Sequence, residues 1–180
     1  MKAFHDPDEF PFSMALEAAC EAIRAEVLSL SPDDFVDWPE ALTTARDGYD
    51  ESGWRFFGLF SSHDQDVHEL YDLDANRRRC PETVRACAAI PGMTDAGFSA
   101  FLPGTHLWPH RGELAGLLRC HLPLVVAPTG QGLKVGGETR AWQQGRCLVF
   151  DDRVQHEAWN HASTTRIVLI VTFRWPQTSV

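Results

Sequence analysis

Residues 104–126, GTHLWPHRGELAGLLRCHLPLVV, set three histidines and two arginines among apolar residues. The second part, LLRCHLPLVV (117–126), is a short apolar run after turn-forming residues, which reads as a buried strand. Side chains alternate along a strand, so Arg119 and His121 share one face and Cys120 points to the other. Cys120 and His121 therefore cannot act together as a thiol and its base, and Cys120 is assigned to the core. A strand with a cation and an imidazole on one face asks what that face surrounds.

Similar runs lie on both sides. GFSAFL (97–102), GLKVGGETRAW (132–142), RCLVFDD (146–152) and TTRIVLIVTFRW (164–175) are β-type segments with turn residues between them, and Gly136-Gly137 marks a hairpin. Several short strands at close spacing predict a jelly roll. Earlier, Leu16, Cys20, Ile23, Val27 and Leu30 recur at helical spacing and predict one amphipathic helix over 13–29, stopped by SPDD. WRFFGLF (54–60) reads as an aromatic strand followed by a polar loop through Asn76, and Pro81 opens a helix that ends at Pro91-Gly92. The expectation is a single mainly β (α+β) domain over 1–180. Its helical part, about 1–95, packs on barrel motifs at about 97–176.

Composition narrows the function. The chain has 180 residues, 44% hydrophobic and 23% charged, with a net charge of -9. That balance argues against a nucleic-acid binder, which needs a basic face, and against docking on anionic lipid. No apolar run approaches the roughly 18 residues of a transmembrane helix, and MKAFHDPDEFPF lacks the apolar core of a signal peptide. Five cysteines, odd in number and without a CxxC pair, suggest reduced thiols and a cytoplasmic protein.

A second stretch, FDDRVQHEAWNHASTTRIVLIVTF (150–173), holds His156, His161 and Arg166. HEAWNH is not the zinc-protease motif, because its histidines are five apart rather than four and its flanks are β-type. Two strands distant in sequence but adjacent in a barrel can instead hold one metal between two imidazoles. Iron(II) oxygenases commonly use two histidines and a carboxylate. Their cosubstrate 2-oxoglutarate is a dianion, which suits the planar, permanently charged fork of arginine.

The chain resembles the aspartyl/asparaginyl β-hydroxylase family of iron- and 2-oxoglutarate-dependent oxygenases. The matching words are WRFF (54–57), CPET (80–83), FSAFLPGTHLWPH (98–110), LRCHLPL (118–124), GGETRAW (136–142), GRCLVFDD (145–152), HEAW (156–159) and RIVLIVTF (166–173), in that order. They span about 54–176, and the first fifty residues carry no such match. The resemblance implies a double-stranded β-helix, the cupin-like jelly roll. It implies that His110 and His156 bind iron(II), that Ser99 and Arg166 hold the distal carboxylate of 2-oxoglutarate, and that Arg119 with His121 supports the carboxylate beside the keto group. His110, His156 and Arg119 form the implied catalytic set.

The family lacks a third, carboxylate ligand. Gly112 stands where an HxD motif would place aspartate, so that position is expected to be open or filled by water, with Glu113 the other candidate ligand. Members that hydroxylate aspartate grip the substrate carboxylate with an arginine two residues before Arg119, and this chain has Leu117 there.

Several residues have plainer readings. A single histidine is most often structural. His106 is expected to brace a turn and His161 to be exposed. Asp151 and Asp152 read as a turn that orients the metal strand rather than as ligands. Trp54, Trp108, Trp142 and Trp159 are core or pocket wall. The expected activity is hydroxylation of an unactivated carbon by O2 with conversion of 2-oxoglutarate to succinate. The β-carbon of Asp or Asn, in a peptide or a related free amino acid, is the substrate that the resemblance implies. The alternatives are another small molecule or an acyl chain, as in a relative that hydroxylates lipid A, and an inactive cupin-like binding protein. Lack of a membrane segment and the acidic balance fit the lipid reading less well, and joint retention of Ser99, His110, Arg119, His156 and Arg166 argues against lost catalysis.

Overall fold

Alternation along the strands sorts apolar from polar side chains and sets the architecture. A computed structural model describes residues 2–37, 53–62, 72–112 and 116–175. The strands are β1 (Phe4–His5), β2 (Val36–Asp37), β3 (Trp54–Phe60), β4 (Met93–Phe101), β5 (His106–His110) and β6 (Leu117–Val125). They continue with β7 (Gln131–Val135), β8 (Glu138–Arg140), β9 (Leu148–Phe150), β10 (His156–Asn160) and β11 (Arg166–Arg174). A seven-stranded sheet has the order β1-β9-β6-β11-β4-β3-β2, and a four-stranded sheet has the order β5-β10-β7-β8. All pairs are antiparallel. The two sheets form a jelly roll with helices on one side, the expected mainly β class. Strands β1 to β3 come from the amino-terminal part, which therefore builds the barrel as well as its cover. Gly136, with φ of 58°, opens the two-residue turn between β7 and β8 where the Gly-Gly pair predicts one.

On one face of the large sheet, Phe98 of β4, Cys120 and Leu122 of β6, and Leu169, Val171 and Phe173 of β11 join the cluster that buries the helices. Each fully buried leucine or phenylalanine there contributes roughly 1.5–3 kcal/mol. The opposite face carries the polar residues, with Ser99, Arg119, His121 and Arg166 turned toward Leu107, Leu133 and Ala158 of the small sheet. The inner side thus sets polar groups beside a second apolar cluster that includes Trp54, Phe101, Phe150, Val168 and Ile170.

The helices are α1 (Pro11–Ala18), α2 (Cys20–Leu28), α3 (Leu73–Arg79) and α4 (Pro81–Ala88). The single helix expected over 13–29 is divided at Ala19, whose N–H is shared between Ala15 and Leu16 carbonyls at 3.1 Å each, a tightened turn. The polar loop expected through Asn76 is also shorter. Asp72 accepts a hydrogen bond from Ala75 N at 2.9 Å and so caps α3 from residue 73. Residues 63–71 of that stretch lie outside the described residues. Helix α4 begins at Pro81 as expected, but its cap is remote. Glu26 of α2 accepts from Glu82 N (2.7 Å), Thr83 N (2.9 Å) and Thr83 Oγ1 (2.6 Å), which satisfies the first-turn amides and ties the helices together.

The far end of the sandwich is closed by Asn160, fully buried on β10. Its amide donates to the carbonyls of Phe101 (2.8 Å) and Thr164 (2.9 Å), and its oxygen accepts from Gln131 Nε2 (2.9 Å).

Candidate active site

A pocket between the sheets is lined by His110, His156, Arg119, His121, Ser99 and Arg166, among others. All six residues named from the sequence are therefore brought together. They divide by sheet. His110 and His156 belong to β5 and β10 of the four-stranded sheet, while Ser99, Arg119, His121 and Arg166 belong to β4, β6 and β11 of the seven-stranded one.

His110 and His156 are cross-strand partners, and their rings lie 4.0 Å apart at 58°. His110 Nδ1 lies 2.8 Å from the Trp108 carbonyl and His156 Nδ1 lies 3.0 Å from the Val154 carbonyl. A carbonyl only accepts, so each Nδ1 carries the proton and each Nε2 carries the lone pair that a metal needs. Burial, with His110 second, brings the pKa of His156 from 6.5 down to about 3, so it is neutral and ready to ligate at ordinary pH. Among the described residues, no group of three histidines, cysteines or carboxylates is placed to share a metal. Glu113, the other candidate ligand, lies outside the described residues.

Arg166 is 1% exposed. Its guanidinium lies 3.7 Å from the Phe101 ring centroid and 4.6 Å from that of Trp142. Its Nε has no hydrogen-bond partner among the described residues. Burial lowers its pKa to about 9, which leaves it charged at neutral pH. A buried cation with an unmet N–H fits an anionic ligand. Ser99, also buried, accepts from Trp54 Nε1 at 3.0 Å, which leaves its hydroxyl hydrogen to be donated. The donor set thus suits a metal beside a carboxylate-bearing cosubstrate.

Position 112 is not open, contrary to the expectation drawn from its glycine. A Cβ on Gly112 would lie 2.5 Å from Cγ and Oδ2 of Asp152, and Gly112 N donates to the Asp152 carbonyl at 2.8 Å. Asp152 Oδ2 accepts from Arg119 Nε at 2.9 Å, and its buried Oδ1 has no partner among the described residues. Asp151 does form the expected turn, accepting from Arg153 N (3.1 Å) and Nη2 (2.7 Å). Asp152 has the separate task of holding Arg119. The signal for it was present in RCLVFDD, since alternation beyond Phe150 puts Asp152 on the pocket face.

His121 Nδ1 accepts from Trp142 Nε1 at 3.3 Å, and its buried Nε2 has no partner among the described residues. Desolvation first, then Arg166 and Arg119, holds its pKa well below 6.5. Trp54 and Trp142 are pocket wall. Trp108, by contrast, is 41% exposed and stacks on His106 at 4.1 Å, while Trp159 packs over Gly132. His106 braces no turn. It lies within β5 and meets Glu157 Oε2 at 3.2 Å. His161 is exposed, as expected.

A sequence profile of the Aspartyl/Asparaginyl beta-hydroxylase family matches residues 17–176. The chain belongs to this family. The match reaches back through all of α2 to the last two residues of α1, a region the motif words left unmatched. An ornithine lipid ester-linked acyl 2-hydroxylase from Rhizobium tropici is 36% identical, over 96% of this chain and 60% of its own length. The aspartyl/asparaginyl beta-hydroxylase of Mus musculus is 32% identical over 67% of this chain and 18% of its own. The β-hydroxylase family chain described here thus spans less than two thirds of either relative. Among solved structures, a predicted oxalate decarboxylase from Thermotoga maritima superposes with a TM-score of 0.43 at 15% identity, covering 68% of this chain and 81% of that one. No helix among the described residues is long and apolar enough to cross a membrane.

Proposed function

We propose that the protein is a hydroxylase, an iron(II)- and 2-oxoglutarate-dependent dioxygenase acting on an unactivated carbon. The observation that carries the reading is one pocket holding a facing imidazole pair and a buried guanidinium with an unmet N–H. His110 and His156 would hold the metal through Nε2. Ser99 and Arg166 would take the distal carboxylate of 2-oxoglutarate, and Arg119 and His121 the carboxylate beside the keto group. Once bound, metal and cosubstrate supply the oxidising chemistry that inserts one oxygen atom of O2 into a C–H bond and places the other in succinate, with loss of CO2.

The protein's own residues orient and shield. Asp152 fixes the Arg119 guanidinium through its Nε, and Leu107, Leu133 and Ile170 make part of the wall apolar, which limits the water near the reacting carbon. The five buried free cysteines suit a reducing cytoplasm.

For the substrate, we favour the aliphatic carbon of an acyl chain over the β-carbon of Asp or Asn. Leu117, buried on the same face of β6 as Arg119, stands where the resemblance puts an arginine for a substrate carboxylate. An apolar side chain offers that carboxylate no charge-assisted partner. The relative that matches 96% of this chain is itself an acyl 2-hydroxylase. Purified protein with iron(II), 2-oxoglutarate and O2 should release succinate and a hydroxylated product with an acyl amide or ester, and much less with an Asp-containing peptide. Product only from the peptide would reverse the substrate choice. Succinate from no substrate would leave the inactive binding barrel as the better reading.

A further inference from the structure

The pocket contains a buried donor aimed by a residue that the reading above does not use. Trp142 lies beyond β8, 5% exposed. An indole N–H can only donate, so at the 3.3 Å contact His121 Nδ1 must be the acceptor. In a neutral imidazole the proton then sits on Nε2, the atom that is buried in the pocket with no partner among the described residues. The same indole lies 4.6 Å from the Arg166 guanidinium, with Phe101 3.7 Å from it. One ring thus touches both groups assigned to the two ends of the cosubstrate.

We propose that Trp142 is a positioning residue that fixes His121 in its Nε2–H tautomer, so that His121 presents a hydrogen-bond donor to a carboxylate. The opposite tautomer would turn the Nε2 lone pair toward the carboxylate oxygens and repel them. Full protonation would also supply a donor, but burial first, and then the nearby Arg166 and Arg119 cations, oppose it. Trp142 therefore gives a pocket that holds two guanidinium groups a neutral donor as well. The inference rests on the reading of this pocket as a carboxylate site, but its first test does not.

That test is nitrogen-15 NMR of the histidine rings in the metal-free protein, with His121→Gln used to assign the signal. The expected result is protonated Nε2 and unprotonated Nδ1 on His121. A protonated Nδ1 overturns the proposal without any further variant. Trp142→Phe keeps an aromatic face near Arg166 and removes the donor. It should release the tautomer toward a mixture and weaken 2-oxoglutarate binding to the manganese(II)-loaded protein roughly tenfold. Manganese affinity itself should not move, because His110 and His156 are oriented by backbone carbonyls. Equal losses in metal and 2-oxoglutarate binding would reduce Trp142 to packing and sink the proposal. In a His121→Gln background the Phe substitution should add little, and full additivity would also count against it. If His121 shows the expected tautomer and the wild-type protein binds no 2-oxoglutarate, the proposed function fails while the positioning by Trp142 stands.

Discussion

Asp152 fills the space beside Gly112: any Cβ placed there would approach its carboxylate to 2.5 Å. Where a facial triad would carry a carboxylate on residue 112 stands one from the residue pair after β9 of the other sheet, and that one holds Arg119.

Gly112→Asp should therefore not recreate a triad. It should drive two carboxylates together, detach Arg119, and lower stability by about 1–3 kcal/mol. The double variant Gly112→Asp with Asp152→Gly relieves the crowding and should melt at a higher temperature than Gly112→Asp alone. Equal melting temperatures for Gly112→Asp and the wild type would contradict the packing described.

His110→Ala and His156→Ala should each abolish iron binding and turnover while the far-ultraviolet circular dichroism stays native. Both rings are on the small sheet and outside the helix-facing cluster. Undiminished succinate formation in either purified variant would remove the metal assignment.

Arg166→Met should separate stability from function. The ligand-free protein buries an Arg166 cation whose Nε is unmet, so an apolar replacement should leave the urea midpoint unchanged or raise it. Affinity for 2-oxoglutarate should drop by roughly 30-fold or more, the usual scale for losing a buried charge-assisted pair. A strongly destabilised variant with intact affinity would place Arg166 in a structural role.

Acid should unfold the metal-free protein through its buried imidazoles. His156 has its pKa lowered from 6.5 to about 3 by burial first and His110 second. The unfolded chain gains a proton near 6.5 that the folded chain refuses until about 3. Stability is thus unaffected above 6.5 and falls as pH drops through that window, by on the order of 4 kcal/mol at its lower end. His121 acts in the same direction. Urea midpoints measured from pH 8 to 4 should fall, and His156→Gln should flatten the profile; an unchanged slope in that variant would refute the assignment.

The large features were legible because they depend on periodicity. Alternation put Arg119 and His121 on one face, and the ordered motifs brought Ser99, His110, His156 and Arg166 to the same pocket. What escaped depends on contacts between elements distant in sequence. Alternation could put Asp152 on the pocket face, but its bond to Arg119 could be recognised only with β9 in register beside β6, and the bond from Trp142 to His121 only in the folded protein. Glu26 caps a helix that begins 55 residues later, which no local capping pattern announces. The division at Ala19 follows from hydrogen-bond sharing that a helical stripe does not report.

The imidazole pair proposed to hold the metal and the groups proposed to cradle the cosubstrate sit on opposite leaves of the sandwich, with Asn160 among the residues that fasten the leaves together. On that proposal, the reactive centre is assembled only in the closed protein. A molecule that has begun to open retains two neighbouring imidazoles but loses the groups assigned to the oxidant's fuel. Redox-active metal held by such a molecule would be cut off from 2-oxoglutarate, which ties oxidising power to the intact fold.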